Sequence, residues 1–279
     1  MISTDTPANV IQRVAVVWLS GYLAVTSVIF VSRHEWRLAA LHLVLITIGM
    51  WALWRTDDSG LKRLVGDLLP LIVAPLLYGE IPMLIAVVGT TYHDAVVQGW
   101  EARLFGGQPA KTLAGHLPWA AVSEVLHAGY LAYYPVIFIP PLILLWRGER
   151  RGYAQTVLAL TVTYTVCWTI FVLFPVQGPR YLWDAPVGMP AGLVRRMAVQ
   201  ILAAGSSRGA AFPSSHMAVS AVQAIMAWRW QRRIAPVLGV VALLVGLGAV
   251  YGGFHYAIDI AAGAMLGAAV GAVILASGR

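Results

Sequence analysis

Charge is scarce in these 279 residues. Asp, Glu, Lys and Arg make up 11% of the chain, where a soluble domain carries about 25%. With hydrophobic residues at 59%, this excludes a soluble globular protein and marks an integral membrane protein. Cysteine is scarcer still, Cys167 being the only one, which excludes an intrachain disulfide framework and a thiolate zinc cluster. Lysine-rich blocks and basic helices interleaved with aromatics are missing too. The net charge of +7 therefore points to cytoplasmic loops and anionic membrane lipid, not to nucleic acid. The N-terminal stretch lacks the marks of a cleaved signal: Asp5 interrupts the basic region, the apolar run is long and no A-x-A site follows. It reads as a retained first span.

Long apolar runs are what the sequence has in quantity. A spanning helix needs about 20 mostly apolar residues. Eight candidates meet that measure, near 13–32, 38–54, 62–88, 119–146, 153–174, 213–230, 234–253 and 256–276. The expected fold is an all-α integral membrane protein of about eight transmembrane helices. Its parts would be an N-terminal hairpin over 1–60 and a six-helix core over 61–279. Gly79-Glu80-Ile81-Pro82 interrupts the third run, and Pro135 and Pro140-Pro141 read as kinks. Residues 90–118 are polar and Gly-rich, as an interfacial helix and turn would be. Residues 175–212 form a long loop with four Arg.

With both termini cytoplasmic, Arg13, Arg55/Lys62/Arg63, Arg147/Arg150/Arg151, Arg229/Arg232/Arg233 and Arg279 lie inside, eleven of the nineteen Lys and Arg. Three of those groups sit in short loops, where the positive-inside rule has force. The outside Arg concentrate in 175–212, against the topological preference, which points to a binding task.

"AAFPSSHMAVS" (210–220) opens the sixth run with a polar turn and an imidazole. Pro213 suits the first position of a helix, where its missing N–H costs nothing. Ser214 and Ser215 then occupy a first turn whose free N–H groups and positive dipole end attract anions. His216 stands at its rim, although a helix cap with an incidental His explains the stretch equally well. Downstream, "VYGGFHYAIDIAAG" (250–263) places His255 and Asp259 at i, i+4, on one helix face. A carboxylate there can accept the imidazole Nδ1–H and leave Nε2 as a nucleophile. The alternative, a polar pair gluing helices, must bear the cost of a buried carboxylate, several kcal/mol unless it is compensated.

Thirty-nine residues separate the two His. At about 1.5 Å each they rise ~58 Å, two crossings of a ~30 Å core, so both return to one membrane face. "FPVQGPRYLWD" (174–184) adds Arg180 on that face, able to clamp phosphate oxygens bidentately. An Arg clamp, a helix N-terminus, an oriented nucleophilic His and a second His as acid make a phosphoryl-transfer constellation.

In these motifs the chain resembles the type 2 phosphatidic acid phosphatase superfamily. That family carries a Lys–Arg-Pro element, then P-S-G-H, then S-R followed by H and, four residues later, D. Here Pro213-Ser214-Ser215-His216 and His255…Asp259 stand in that order. The resemblance extends over roughly residues 62–276. It implies that His255 is the nucleophile, Asp259 orients it and His216 protonates the leaving oxygen. It implies too that Arg180, Ser214 and Ser215 hold the phosphate, with Arg208, Arg195 and Arg196 as further candidate cations.

The chain departs from the family where Leu173 stands for the Lys and Gly248-Ala249 for the Ser-Arg, and where the order is Pro179-Arg180. In this it looks like the inositol phosphorylceramide synthase branch, as do "ARLFGGQPA" (102–110) and the Tyr-rich helix of Tyr130, Tyr133 and Tyr134.

The expected activity is that of a membrane lipid phosphatase or phosphotransferase, working through a phosphohistidine without metal or other cofactor. Its substrate would be a lipid phosphate or phospholipid, and its site would lie on the extracytoplasmic face of the cell membrane. Water as acceptor makes a phosphatase, and a lipid or polyol hydroxyl makes a head-group transferase. Losing two cations weakens the hold on a dianionic monoester more than on a monoanionic diester, which favours transfer. A non-enzymatic transporter is the alternative of another class, but its ionisable groups belong at mid-span, not gathered at one face.

Elsewhere, Gly263, Gly267 and Gly271 form a close-packing stripe that suits the bundle interior. Asp94, Glu101, Glu124 and His127 fall on the outer side, either positioning an acceptor or head group or simply solvating an interfacial helix. His34, His42, His93 and His116 have no partner at a telling spacing and read as structural.

Overall fold

The computed structural model describes residues 6–53 and 60–277. Among them the chain forms helices α1 (Pro7–Ser32), α2 (Trp36–Leu53), α3 (Leu61–Leu76), α4 (Ile81–Val88), α5 (Asp94–Phe105), α6 (Pro109–His116) and α7 (Ala120–Leu131). These are followed by α8 (Tyr133–Trp146), α9 (Arg150–Leu173), α10 (Pro179–Leu182), α11 (Leu193–Gly205), α12 (Ser215–Trp230), α13 (Ala235–Tyr251) and α14 (Ala257–Ser277). No strand occurs among the described residues. A single parallel bridge pairs Val176 with Ala210. Asp5, Arg55 and Arg279, and the junction between the expected hairpin and core at 54–59, lie outside the described residues.

The chain is a multi-pass membrane protein. Five helical stretches are long and apolar enough to cross a bilayer (α1, α2, α3 with α4, α9 and α14), and α7 with α8 makes a sixth if the bent pair is one span. The expectation of eight spans is not met on this measure. With 16 residues, α12 rises only ~24 Å, and α13 with 17 rises ~26 Å, less than the ~30 Å hydrocarbon core. Both are shortened at the end that meets the two His motifs.

The bundle is built around α9, whose Tyr153, Tyr164, Trp168 and Phe171 are fully buried. Within lipid every carbonyl released by a proline must find another donor, and buried side chains supply them here. Pro140 and Pro141 free the carbonyls of Val136 and Ile137, and the buried Gln223 amide donates to both, at 2.8 and 3.2 Å. Pro70 frees the carbonyl of Gly66, which accepts from Gln12 at 2.7 Å. The sharper break falls before Pro135, where α7 and α8 meet at 46°: the pyrrolidine ring clashes with the carbonyl four residues back. Pro82 likewise ends the helical ladder in a 3-10 turn over Leu77–Glu80, and the released Tyr78 carbonyl accepts from Ser207 at 3.1 Å.

The N-terminal hairpin is tied to the rest by a long-range pair. His42 of α2, fully buried, meets the Glu80 carboxylate at 2.9 Å and Thr26 at 3.0 Å. Structural is the right reading of His42, although no spacing could have named its partner.

The glycine stripe packs inside the bundle. A methyl group on Gly263 would strike the Ser214 carbonyl, one on Gly267 the Ala218 carbonyl, and one on Gly271 the Ile225 side chain. Small residues thus let α14 lie directly on α12, bringing His255 and His216 together. Gly263→Ala is expected to lower stability by about 1–3 kcal/mol, the usual cost of overpacking. Thermal unfolding in detergent checks it, and an unchanged midpoint would mean that the α12–α14 crossing is looser than described.

Candidate active site

The polar residues converge at one end of the bundle, where α12 begins, α13 ends and the 174–181 segment folds back. Val176 N–H donates to the Gly209 carbonyl at 3.0 Å, and Ala211 N–H to the Val176 carbonyl at 2.9 Å. This short pairing lays the Arg180 loop beside the His216 motif. Gly178 makes the approach possible: its φ of 89° suits glycine, and a Cβ there would meet the Ala211 Cβ at 3.0 Å.

The helix opens two residues later than the sequence indicates, at Ser215. Pro213 precedes α12 and follows a cis peptide, and Ser214 is the N-cap, its Oγ accepting from Met217 N–H at 3.3 Å. A serine oxygen supplies the cap that proline cannot, so Pro213 is displaced from the first helical position. Ser214 and Ser215 are both buried, and the Ser214 hydroxyl is engaged as the cap. The N–H groups of Ser215 and His216 in the first turn remain as donors.

His255 also departs from expectation. It lies just before α14, not on it, while Asp259 sits in the first turn. One Asp259 oxygen accepts from Tyr256 N–H at 2.9 Å, the return half of a capping box. The same oxygen lies 3.4 Å from His255 Nδ1, but the Ala211 carbonyl is nearer, at 3.0 Å. A carbonyl can only accept, so Nδ1 carries the proton and Nε2 is left with its lone pair. The tautomer expected from Asp259 is thus set first by a main-chain oxygen and second by the carboxylate.

The two imidazoles lie with ring centroids 5.6 Å apart. His216 Nε2 meets the Tyr130 hydroxyl at 3.1 Å, and its Nδ1 is buried without a partner. The ring is also packed against Tyr133 at 4.2 Å between centroids. Arg180 donates to Ser206 Oγ at 2.9 Å, lies over the Tyr181 ring, and is within electrostatic reach of Tyr130. Arg208 is exposed, donates to Gln177 at 2.5 Å, and shares the Tyr181 ring with Arg180.

The acids of the 90–118 segment hold this assembly from outside. Asp94 accepts from the N–H groups of Gln177 and Gly178 at 3.0 and 2.9 Å, and from the Tyr256 hydroxyl at 3.1 Å. Gln98 donates to that hydroxyl at 2.8 Å, and Glu101 accepts from Ala257 N–H at 2.5 Å. One face of α5 therefore fixes both the Arg180 loop and the start of α14. Asp94 and Glu101 are buried, and neither solvates an interfacial helix. Glu124 caps α11 through Val194 and Arg195 N–H, and His127 is buried with its Nδ1 on the Ser123 carbonyl. Sequence reasoning missed Ala211, Tyr130 as the partner of His216, and the α5 bracket. Only the i, i+4, i+7 spacing of Asp94, Gln98 and Glu101 hinted at the last.

Burial pushes the Glu101 carboxyl up from 4.5 to about 7, with Asp259 adding to the rise and the Ala257 N–H opposing it. A raised folded-state value means that the folded protein holds the proton longer. The associated stability is complete below about 4.5 and is lost as pH climbs to about 7. Glu101→Gln, which keeps an acceptor for Ala257, should flatten that part of the profile. Unfolding midpoints of both proteins from pH 4 to 8 check this, and parallel curves would count against it.

Next to the site lies a cavity of about 820 Å³, lined by Lys111, Arg180, Trp183, Asp184, Arg195 and Phe254 among others. Gly252, Gly253 and Phe254, which immediately precede His255, form part of its wall. Among the described residues no group of three or more His, Cys, Asp or Glu is placed to hold a metal ion.

A helical membrane bundle that gathers two His, an Asp and an Arg at one end defines a class of enzyme-like membrane proteins built around one polar centre. The particular family follows from the sequence match: residues 98–273 fit the family model of the PAP2 superfamily, and the chain belongs to it. Membership of this family points to phosphatase-type phosphoester chemistry. The matched residues run from α5 into α14, and α1–α4 precede them. No curated protein and no solved structure matches the chain.

Proposed function

We propose that the protein cleaves a lipid phosphate ester through a phosphohistidine on His255. The observation that carries this reading is the Ala211 carbonyl on His255 Nδ1, which leaves Nε2 as the free nucleophile beside a second imidazole. Nε2 attacks phosphorus and the P–O bond to the lipid breaks. The departing alkoxide takes a proton from the imidazolium form of His216, which is left neutral; its Nδ1 has no hydrogen-bond partner within the protein. In the second step neutral His216 removes a proton from water or a hydroxyl, and the resulting oxygen attacks phosphorus and restores His255. Arg180 and the first-turn N–H groups of α12 meet the charge on the equatorial oxygens, with Arg208 at the rim. Such a site needs no metal, and activity is expected to persist in chelator while vanadate inhibits.

Asp259 is placed to stabilise the cationic imidazole formed after attack. Asp259→Asn keeps the shape and loses the charge, and the Ala211 carbonyl still holds the tautomer. The expected loss is about 10–100-fold, the worth of one charge-assisted hydrogen bond, measured as kcat on a lipid phosphate.

The reading extends to a site on the extracytoplasmic face of the cell membrane with both termini inside. Cys167 is fully buried, so single cysteines at the exposed positions Gln200 and Arg232 can be labelled against a quiet background. Gln200→Cys should react from outside only and Arg232→Cys from inside only.

The deciding experiment incubates purified protein with lipid monophosphates and phosphodiesters, with and without a lipid or polyol hydroxyl, and identifies products. Phosphate release supports a phosphatase, and head-group transfer the synthase-like alternative. Turnover of neither class, or transport without turnover, overturns the reading.

A further inference from the structure

We propose that the cavity beside the histidines is a subsite for a second anionic group of the substrate, held by Lys111 and Arg195 apart from the phosphate that is transferred. The inference rests on the function proposed above. Its ligand chemistry is a substrate with two phosphate groups, either adjacent, as in a lipid diphosphate, or separated on a polyol head group.

Neither His216 nor His255 lines this cavity, although Phe254 does. Arg180 faces both places, whereas Lys111 and Arg195 line the cavity beside the reacting centre. Its volume of about 820 Å³ is in the ~300–1,000 Å³ range of small-molecule sites and leaves room beyond a single phosphate. Lys111, Arg180 and Arg195 form no carboxylate ion pair among the described residues, although Asp184 shares the lining. The Lys111 ammonium lies 3.9 Å from the centre of the Trp183 ring, which fixes its position while leaving its donors free. Arg195 Nε is buried without a hydrogen-bond partner. Glu124, which meets the start of α11, is committed to the main-chain N–H groups of Val194 and Arg195.

The chain is built to bring this Arg in. Ala249 is fully buried against Ala198 and Leu202 of α11, together with Tyr130 and Phe254. Arg195 lies one turn before Ala198 on the same helix face. A long side chain at 249 would fill the space in which α11 packs. With alanine there, α11 packs across and Arg195 lines the cavity beside the centre.

The test uses calorimetric titration of purified, detergent-solubilised protein with inorganic phosphate, inorganic pyrophosphate and inositol 1,4-bisphosphate. Wild-type protein should bind one of the two-phosphate probes at least about tenfold more tightly than phosphate. Which probe is preferred tells adjacent from separated phosphates. Arg195→Ala and Lys111→Ala should each bring the preference down towards equal affinity, because a hydrogen bond to a charged group is worth about tenfold or more. Arg195→Lys, which keeps the charge, should retain part of it and serves where Arg195→Ala folds poorly. Equal affinity for all three probes in the wild type, or a preference unmoved in the alanine variants, overturns the subsite. Lipid turnover measured on the same preparation separates the two ideas. A preference without turnover keeps the subsite and overturns the proposed function, and turnover without a preference does the reverse.

Discussion

His255→Ala is expected to abolish both turnover and the phosphoenzyme. Without Nε2 no P–N bond can form, and neither the Arg180 clamp nor the α12 N-terminus can substitute for a missing nucleophile. When residues act as one catalytic unit, removing the nucleophile alone costs nearly as much as removing all of them, on the order of 10⁶-fold. The side chain is only 5% exposed and contacts Ala211 and Asp259, so a melting curve must accompany the assay to separate chemistry from folding. His255→Gln, which fills most of the space and retains a donor for the Ala211 carbonyl, serves as the second variant. The check is single-turnover kinetics with labelled lipid phosphate and denaturation without acid, since phosphohistidine is acid-labile. Label retained by His255→Ala would place the nucleophile elsewhere, with His216 the first candidate.

The second large effect belongs to His216, and its signature is a dependence on the leaving group. General acid–base assistance is typically worth about 10²–10⁴-fold. His216→Ala should therefore lose about that much on an alkyl phosphate, whose alkoxide leaves poorly without a proton. On an aryl phosphate the phenolate departs unaided, and the first step should be nearly spared. Phosphoenzyme should then accumulate, because the same imidazole is needed to activate the attacking water. The Tyr130 hydroxyl at 3.1 Å from Nε2 orients the ring, and Tyr130→Phe should reproduce a smaller share of the defect with the same leaving-group dependence. Rates of both variants on an alkyl and an aryl ester provide the measurement. Equal losses on the two substrates would remove His216 from the role of acid.

The class of protein and its principal residues were legible in the sequence because the signals are local or periodic. Scarce charge and long apolar runs require a membrane bundle. The thirty-nine residues between His216 and His255 require a return to the same end, and the rings do lie 5.6 Å apart. The glycine stripe required close packing and finds it on α12. Composition could not show that α12 and α13 are shorter than α1, α2, α9 and α14, at 16 and 17 residues, because their apolar runs continue into the motif loops.

What only the tertiary structure decided depends on groups distant in sequence or carried by the main chain. Every residue has a carbonyl, so nothing in "AAFPSSH" marks Ala211 as the group that sets the tautomer of an imidazole forty-four positions away. The acids of α5 resembled a solvated surface because the segment is polar. They are buried, and their carboxylates satisfy the N–H groups of Gln177, Gly178 and Ala257. Lys111 of α6, Arg180 of α10 and Arg195 of α11 line one cavity, and Ala249 packs against α11 beside it. Residue types and spacing determine which groups this chain can bring to one polar centre. The crossing of α11, α12 and α14 decides which of them arrive, since only close packing converts distant main-chain and side-chain donors into neighbours.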